Sequence, residues 1–373
     1  MRSRVLLVIS VALASCSAAH HSSSSGTPTR AEVQQSLDEL TAAGMPGVGL
    51  WIGRPQGVEY LSSGVSDVEK GTHPGRDFSY RIASVSKAFS GAVALILVRD
   101  GQLGLDQTVG DLLGGLVPHG KDVTLRQLLN HTSGLVNYTE NQDFQAAFGA
   151  DPFRKFTALE LLAFVADDPL NFPPGSAYRY SNTDNLLIGL IVEAVTHQPY
   201  PTVLEARVLK PLGLQSTIYP DGPELPDPFV HGYVPEGAAV EDVSEAFDTS
   251  VLGVAGAMIS KPGDLARFFS AILRGEVYGR DLLAQAMLTV PGDSDYPGPG
   301  VNGAGLALFR YRLPCGEVWG HTGNMPGYRV YAVSSIDGSR TVVMWANLNV
   351  PSQQLQDLTL HAQELATCGA LGR

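Results

Sequence analysis

Cysteine is scarce in this sequence: 373 residues contain three, too few for a small fold held by disulfides. Basic residues are also few, with 25 Lys and Arg against 37 Asp and Glu and a net charge of −12. Because phosphate neutralisation needs concentrated Lys and Arg, this balance excludes nucleic acid as a partner. His-Glu-x-x-His, Cys-x-x-Cys and Gly-x-Ser-x-Gly patterns are absent, so neither a metal site nor an α/β-hydrolase has support.

The N terminus lacks an apolar run long enough for a membrane span. Val5 to Leu13 is far shorter than the ~20 residues that cross a bilayer. The run follows Arg2 and Arg4 and ends in Leu13-Ala14-Ser15-Cys16, a pattern typical of a signal peptide. It resembles a bacterial lipoprotein signal, which implies removal of residues 1–15 and lipid on the Cys16 thiol. We expect a protein anchored on the outer face of the cytoplasmic membrane; the alternative is ordinary secretion.

Residues 16–29 are rich in serine and predict a flexible tether. Export would place the other two cysteines in a compartment where a disulfide persists. We therefore predict that Cys315 and Cys368 pair. The alternative is two unrelated buried thiols, because sequence alone does not show proximity.

Strand patterns occur near both ends of the chain, and short apolar helices broken by Pro and Gly lie between them. The sequence predicts an α+β fold, in which helices pack on a mainly antiparallel sheet built from both chain ends. We assign this sheet domain to residues 30–102 and 249–373. Residues 103–248 are predicted to form an inserted all-helical lobe.

Ser84-Val85-Ser86-Lys87 places a hydroxyl and an amine three residues apart at the predicted start of a helix that runs to about Asp100. The two side chains then share one helix face. The positive end of a helix disfavours the lysine ammonium, so a neutral Lys87 can activate Ser84 as a nucleophile. The spacing alone is weak evidence, because it also suits a surface lysine on an ordinary helix.

Tyr180-Ser181-Asn182 follows the turn signal Pro173-Pro174-Gly175, which predicts a loop before a helix. A tyrosine whose pKa is lowered by neighbouring cations can relay a proton between a nucleophile and a leaving group. The Asn182 amide can bind a substrate carbonyl and orient the lysine. Taken alone, the motif favours the alternative of a buried tyrosine that caps a helix.

His321-Thr322-Gly323 lies in a stretch that favours strands, where the glycine would let a substrate backbone approach the strand edge. A second His-x-Gly, His73-Pro74-Gly75, is interpreted as a loop. The sequence of residues 298–303 matches the Gly-x-Gly-x-x-Gly pattern of dinucleotide-binding sites, but these residues follow an acidic, Pro-rich loop rather than a strand. We reject a nucleotide site there.

In this order, Ser-x-x-Lys, Tyr-x-Asn and His-Thr-Gly resemble the motifs of the serine penicillin-recognising enzymes, above all the branch of D-alanyl-D-alanine carboxypeptidases and class C β-lactamases. Residues 131–135 and 261–268 are also similar to stretches of that family. The likeness covers roughly residues 31 to 370. It implies a β-lactamase/DD-peptidase-like fold and hydrolysis through an acyl-enzyme, with no cofactor.

The resemblance implies that Ser84 is acylated and that Lys87 and Tyr180 share the general acid and base work. Asn182 would contact the substrate amide. His321 stands where other branches carry lysine.

The same resemblance gives the third motif a binding role. Thr322 would bind a substrate carboxylate beside Gly323, and the backbone N–H groups of Ser84 and Asn324 would form the oxyanion hole. Asn324 departs from the family, which tends to carry a hydroxyl there. A carboxylate-binding arginine is expected nearby, and both Arg310 and Arg312 are candidates.

We expect an extracytoplasmic serine hydrolase of amides or esters, most like a D-alanyl-D-alanine carboxypeptidase. The alternatives are a β-lactamase, a small-ester esterase and a non-catalytic, penicillin- or cell-wall-binding lipoprotein. A monomer is expected because long heptads are absent. His131 is interpreted as a structural turn residue whose ring bonds the backbone, rather than as a catalytic base.

Overall fold

The computed structural model describes residues 26–116, 119–237, 239–348 and 352–372. Cys16, the predicted signal peptide and most of the predicted tether lie outside the described residues. None of the helices in the described ranges combines the length and hydropathy needed to cross a membrane.

Twelve α-helices are formed in the described ranges: α1 Arg30–Ala42, α2 Ser86–Arg99, α3 Val109–Leu113, α4 Leu125–Leu129, α5 Gln142–Ala150, α6 Ala158–Ala163, α7 Asn182–Thr196, α8 Tyr200–Leu204, α9 Lys210–Leu212, α10 Pro262–Leu273, α11 Arg280–Ala286 and α12 Gln353–Leu371. Helix α1 begins at a capping box in which Thr29 and Glu32 bond each other's backbone N–H groups. Its buried residues Val33, Leu37 and Leu40 recur at helical spacing, so periodicity alone predicted this helix.

The strands are β1 Gly47–Arg54, β2 Gly57–Gly64, β3 Tyr80–Arg81, β4 Tyr233–Glu236, β5 Ala239–Asp242, β6 Ile259–Ser260, β7 Val301–Ala304, β8 Phe309–Leu313, β9 Gly316–Met325, β10 Tyr328–Ser335 and β11 Thr341–Ala346. Seven of them form one sheet in the order β2-β1-β11-β10-β9-β8-β7, and every pairing is antiparallel. The two N-terminal strands thus join five C-terminal ones. The predicted α+β fold, with a sheet from both chain ends, is confirmed.

Both faces of the sheet are covered. Every residue of β10 is buried, and alternate side chains enter different cores, as Ala332 joins the core with α2 and α10 while Tyr331 joins the core with α1 and α12. A disulfide joins Cys315, in the turn between β8 and β9, to Cys368 on α12, with a Cα–Cα distance of 5.4 Å. This bond fastens the C-terminal helix to the sheet.

Most of the regular secondary structure in residues 103–248 is helical, but the segment also contains the short hairpin β4–β5. The lobe is therefore not all-helical as predicted. Its strands are short and partly polar, so they lack the apolar alternation that sequence reasoning uses. Tertiary contacts hold the hairpin to the sheet domain: the Tyr233 N–H donates to the Asn347 carbonyl, and the Tyr233 hydroxyl accepts from the Val68 N–H. The proposed division into two domains stays a prediction.

Candidate active site

Ser84 lies in a 3-10 turn, Ala83–Val85, immediately before α2, which begins at Ser86. The sequence predicted that the helix itself would begin at Ser84. Ala83 has φ = +47°, a conformation that side chains beyond glycine rarely adopt. Such strain is retained where the surrounding structure demands it, often at functional sites. In this turn, called here the nucleophile turn, Ser84 is 8% exposed.

Lys87 lies one turn further along, with its Nζ 3.1 Å from Ser84 Oγ and 2.8 Å from the Ala255 carbonyl oxygen. The side chain is fully buried. Burial lowers the pKa of Lys87 to about 7, although the nearby carboxylates of Asp295 and Asp184 act in the opposite direction. A substantial fraction of Lys87 is therefore neutral near pH 7 and able to take a proton from Ser84.

Tyr180 covers this pair, and its ring centroid lies 4.9 Å from Lys87 Nζ. The phenol oxygen is buried and has no hydrogen-bond partner in the described ranges. Burial and the carboxylate of Asp295 raise the pKa of Tyr180 well above its usual value, while the Ser84 hydroxyl opposes that rise. The expectation of a lowered tyrosine pKa is wrong, because desolvation dominates here. Tyr180 is therefore a neutral phenol, and it carries a proton that a strongly basic leaving group can accept.

His131 supports Tyr180 from behind, with ring centroids 4.5 Å apart. Its backbone adopts φ = +58°, as suits a turn residue, but its ring bonds a side chain rather than the backbone. His131 Nδ1 lies 2.8 Å from Asp184, whose other oxygen accepts from the Ser133 hydroxyl at 2.6 Å. Burial lowers the pKa of His131 to about 3, so its ring is neutral, and burial raises the pKa of Asp184 against the opposing effects of the Ser133 hydrogen bond and Lys87. Sequence reasoning missed Asp184.

Asn182 is the first residue of α7, and its side chain donates to the Thr139 hydroxyl at 3.2 Å. Its backbone N–H donates to the Asn137 side chain. The structure orients Lys87 through the Ala255 carbonyl rather than through Asn182. Contact of Asn182 with a substrate amide stays a prediction.

The third motif lies on β9, beside the nucleophile turn. The imidazole of His321 is buried, donates from Nδ1 to the Thr322 carbonyl, and packs edge-on against Phe309 at 5.0 Å. Burial and the neighbouring Lys87 lower the pKa of His321 to about 3. Nε2 has no partner in the described part of the chain, so a neutral His321 offers an unused acceptor.

Gly323 brings β9 against the nucleophile turn. A Cβ at this position would lie 2.3 Å from the Ile82 carbonyl oxygen. The absence of a side chain at Gly323 thus allows the backbone of the nucleophile turn to approach β9. The sequence had suggested that it allows a substrate backbone to approach the strand. Because β8 pairs with β9 only as far as Gly320, the next residues have an outer edge without a strand partner in the described sheet. Asn324 is exposed there, and its oxyanion-hole role stays a prediction.

Residues 291–300, called here the cap loop, cross this free strand edge. The Thr322 hydroxyl donates to the Tyr296 carbonyl at 2.7 Å and also contacts the Ser294 hydroxyl. The Tyr178 hydroxyl donates to the Asp293 carbonyl on the same loop. The Thr322 hydroxyl, which was expected to bind a substrate carboxylate, is therefore hydrogen-bonded to the protein's own cap loop.

Neither predicted arginine is directed at Ser84 by any contact in the described ranges. Arg310 and Arg312 lie on β8, where Arg310 Nε and an Arg312 Nη are 3.9 and 3.7 Å from a Glu317 carboxylate oxygen. Instead, Arg329 on β10 lies directly opposite Asn324. Its guanidinium group is buried, and the guanidinium carbon lies 3.0 Å from the centroid of the Tyr296 ring. The guanidinium has no hydrogen-bond partner among the described residues. The sequence contained a signal for this residue, because Arg329 is a single arginine within the apolar strand β10, but the sequence analysis did not identify it.

Asp295, on the cap loop between Ser294 and Tyr296, was also missed. Asp295 is exposed, and desolvation of its carboxyl group by neighbouring atoms raises its pKa to about 6. Lys87 opposes this rise and the negative Glu140 adds to it. The sequence showed only an acidic loop, without indicating that it contacts Thr322 of the third motif.

A family model described as Beta-lactamase matches residues 33–367. The chain belongs to the β-lactamase family. The match confirms the predicted resemblance to the serine penicillin-recognising enzymes, and the family also contains penicillin-binding proteins. A second model, a domain of unknown function, matches residues 1–50.

Curated relatives of this β-lactamase-family chain differ in activity. Penicillin-binding protein 4* of Bacillus subtilis is 27% identical over 305 residues, which is 77% of this chain and 64% of that protein. Esterase EstB of Burkholderia gladioli is 35% identical over 166 residues, 41% of this chain and 42% of that protein. The chain thus spans less than two thirds of the length of these relatives.

Two solved structures match over nearly their whole length. A D-stereospecific amidohydrolase from Streptomyces sp. is 33% identical with a TM-score of 0.79, and the match covers 88% of this chain and 98% of that one. A D-amino acid amidase from Ochrobactrum anthropi, complexed with L-phenylalanine amide, is 25% identical with a TM-score of 0.80, covering 90% and 97%.

Proposed function

We propose that this enzyme is an amidase that forms an acyl-enzyme on Ser84 and acts on small amides of D-amino acids. The observation that carries the proposal is the 3.1 Å contact of Ser84 Oγ with Lys87 Nζ, an amine whose pKa burial lowers to about 7. A binding protein has no need of a desolvated amine beside a hydroxyl. The likeness to the two D-specific amide hydrolases supports the substrate class.

The geometry supports a two-step reaction. Neutral Lys87 takes the Ser84 proton as Oγ attacks the amide carbonyl carbon, and the oxygen becomes an oxyanion. The C–N bond then breaks, and the leaving amine receives a proton from the neutral phenol of Tyr180, which regains one from Lys87. A water molecule then attacks the carbonyl carbon of the acyl ester through the same proton transfers. This second step releases the acid and restores the Ser84 hydroxyl.

Purified protein lacking residues 1–16 should hydrolyse D-phenylalanine amide faster than its L-enantiomer. A slow D-amino acid ester should leave a mass adduct on the protein, and Ser84→Ala should abolish both signals. Ser176→Ala, the same change at an exposed serine, is the matched control. Turnover that survives in Ser84→Ala would overturn the acyl-enzyme proposal, and equal rates on the two enantiomers would overturn the D-amino acid assignment.

D-alanyl-D-alanine carboxypeptidase activity is the second candidate. Arg329 favours it, because a displaced Tyr296 would uncover a guanidinium opposite Asn324 on the strand edge. The assay is release of D-alanine from diacetyl-Lys-D-Ala-D-Ala. Release faster than that of ammonia from D-phenylalanine amide would place the carboxypeptidase first.

We also propose that the protein is a monomer tethered by lipid on Cys16, for which the sequence pattern is the support. Palmitate labelling in a bacterial host should mark the wild type and not Cys16→Ser. Unlabelled protein in the medium, cleaved near Ala19, would instead support secretion. Light scattering of the form without residues 1–16 measures the oligomeric state.

A further inference from the structure

The cap loop is fastened on both sides of Asp295. On one side, the Ser294 hydroxyl donates to the Tyr296 carbonyl at 2.6 Å and contacts Thr322. On the other side of Asp295, the Tyr296 carbonyl also accepts from the Thr322 hydroxyl. Since Thr322 follows His321 on β9, these bonds fix the backbone that carries Asp295 beside the third motif.

A second attachment ties the loop to the residues around Tyr180. The Tyr178 hydroxyl donates to the Asp293 carbonyl, and Gly292 lies so close to the Tyr178 ring that a Cβ there would approach it to 2.6 Å. The cap loop thus bridges the two sides of the cleft, and Asp295 lies near its middle. Interaction of its carboxylate with both Lys87 and Tyr180 agrees with this placement.

The carboxylate of Asp295 has no permanent partner. In the described ranges it makes no hydrogen bond and no ion pair, whereas the neighbouring Glu140 is paired with Arg179 at 2.7 Å. Lys87 is the nearby cation, but it must be neutral to accept the Ser84 proton. At the moment a substrate is attacked, Asp295 therefore lacks a positive neighbour.

Arg310, Arg312 and Arg329 each contact another side chain of the protein. Arg310 and Arg312 face Glu317, and Tyr296 covers Arg329. Among the described residues, no contact directs a guanidinium at Ser84, whereas the Asp295 carboxylate interacts with both Lys87 and Tyr180. This distribution favours a substrate that carries a cation near its scissile bond over one that carries a carboxylate.

We propose that Asp295 binds the α-ammonium group of the substrate and makes the enzyme selective for amides with a free amino group. The inference rests on the proposed amidase function and deepens it by naming a specificity-determining residue. The bound ammonium would replace Lys87 as the cation facing Asp295, so substrate binding itself would favour the neutral lysine needed for acylation.

The test compares Asp295→Asn with wild type on D-phenylalanine p-nitroanilide and on its N-acetyl derivative, which lacks the charge. A hydrogen bond to a charged group is worth roughly 1.5–3 kcal/mol, so kcat/KM on the free amine should fall about 10- to 150-fold. The N-acetyl substrate should change less than about threefold. Asp293→Asn, the same change at an exposed neighbour, is the matched control and should leave both rates unchanged.

Asp295→Glu should restore part of the preference for the free amine. Thermal unfolding of this variant shows whether it is folded, so that a loss of activity is not mistaken for misfolding. Unchanged discrimination in Asp295→Asn would overturn the inference. Equal losses on both substrates, with a shifted pH profile, would show instead that Asp295 acts on Lys87. Ser84-dependent hydrolysis of p-nitrophenyl butyrate tests the acyl-enzyme separately: if that reaction is absent in wild type, the proposed function fails rather than the role of Asp295 alone.

Discussion

Replacement of Gly323 by alanine tests how closely β9 must approach the nucleophile turn. The new Cβ would lie 2.3 Å from the Ile82 carbonyl oxygen, whereas carbon and oxygen normally meet at about 3.3 Å. Strand and turn must therefore separate by about 1 Å. The carbonyl cannot simply swing aside, because it accepts the Val85 N–H at 3.1 Å and the Ile82 N–H is bonded to the Met258 carbonyl.

A displacement of about 1 Å in an active site can cost about 100-fold in rate. We expect Gly323→Ala to lower kcat/KM by that factor and to cost about 1–3 kcal/mol in stability from overpacking. Stopped-flow acylation with a p-nitrophenyl ester measures the first effect, and urea unfolding measures the second. Gly149→Ala is the control, because nothing lies within 4 Å of its new Cβ. Acylation of Gly323→Ala at the wild-type rate would refute the argument.

Three further predictions follow from the site and the disulfide. Because neutral Lys87 is the base and its pKa is lowered to about 7, kcat/KM on the N-acetyl substrate, which has no titrating amine, should rise with pH through about 7 and then level; a profile that is flat from pH 5 to 9 would contradict this role. Tyr180→Phe should lower kcat about 10²- to 10⁴-fold, yet leave the melting temperature nearly unchanged because the hydroxyl has no hydrogen-bond partner in the described ranges; a large loss of stability with little loss of rate would reverse the assignment. Replacing both Cys315 and Cys368, which are 53 residues apart, by serine should lower the free energy of unfolding by about 4 kcal/mol without loss of activity at 25 °C; an unchanged urea midpoint would show that the bond does not stabilise the fold.

Local patterns were sufficient wherever neighbouring residues decide the conformation. Thr29 and Glu32 predicted the start of α1, and their capping box forms as predicted. The hairpin of β1 and β2 was predicted from two apolar runs on either side of a Gly-Arg-Pro-Gln-Gly turn. The hairpin β4–β5 was missed because its stability comes from bonds to distant residues such as Asn347. Periodicity carries no record of such partners.

The electrostatics of the site depend on residues far apart in sequence. Lowering of the Lys87 pKa was predicted from the helix N terminus, but its main cause is burial beneath the surrounding side chains. The same burial raises the pKa of Tyr180, contrary to prediction. Burial is a property of the packed chain, so a motif shows which groups are present and not which charges they hold.

By itself, the sequence determined the family, the α+β class and the order of three motifs, because each rests on residues close together in the chain. Only the tertiary structure brought the cap loop across β9, set Asp295 near Lys87 and placed Arg329 under Tyr296. These residues carry no motif of their own. Their roles arise from contacts between segments that the fold joins, and such contacts exist only once the sheet has closed around the nucleophile turn.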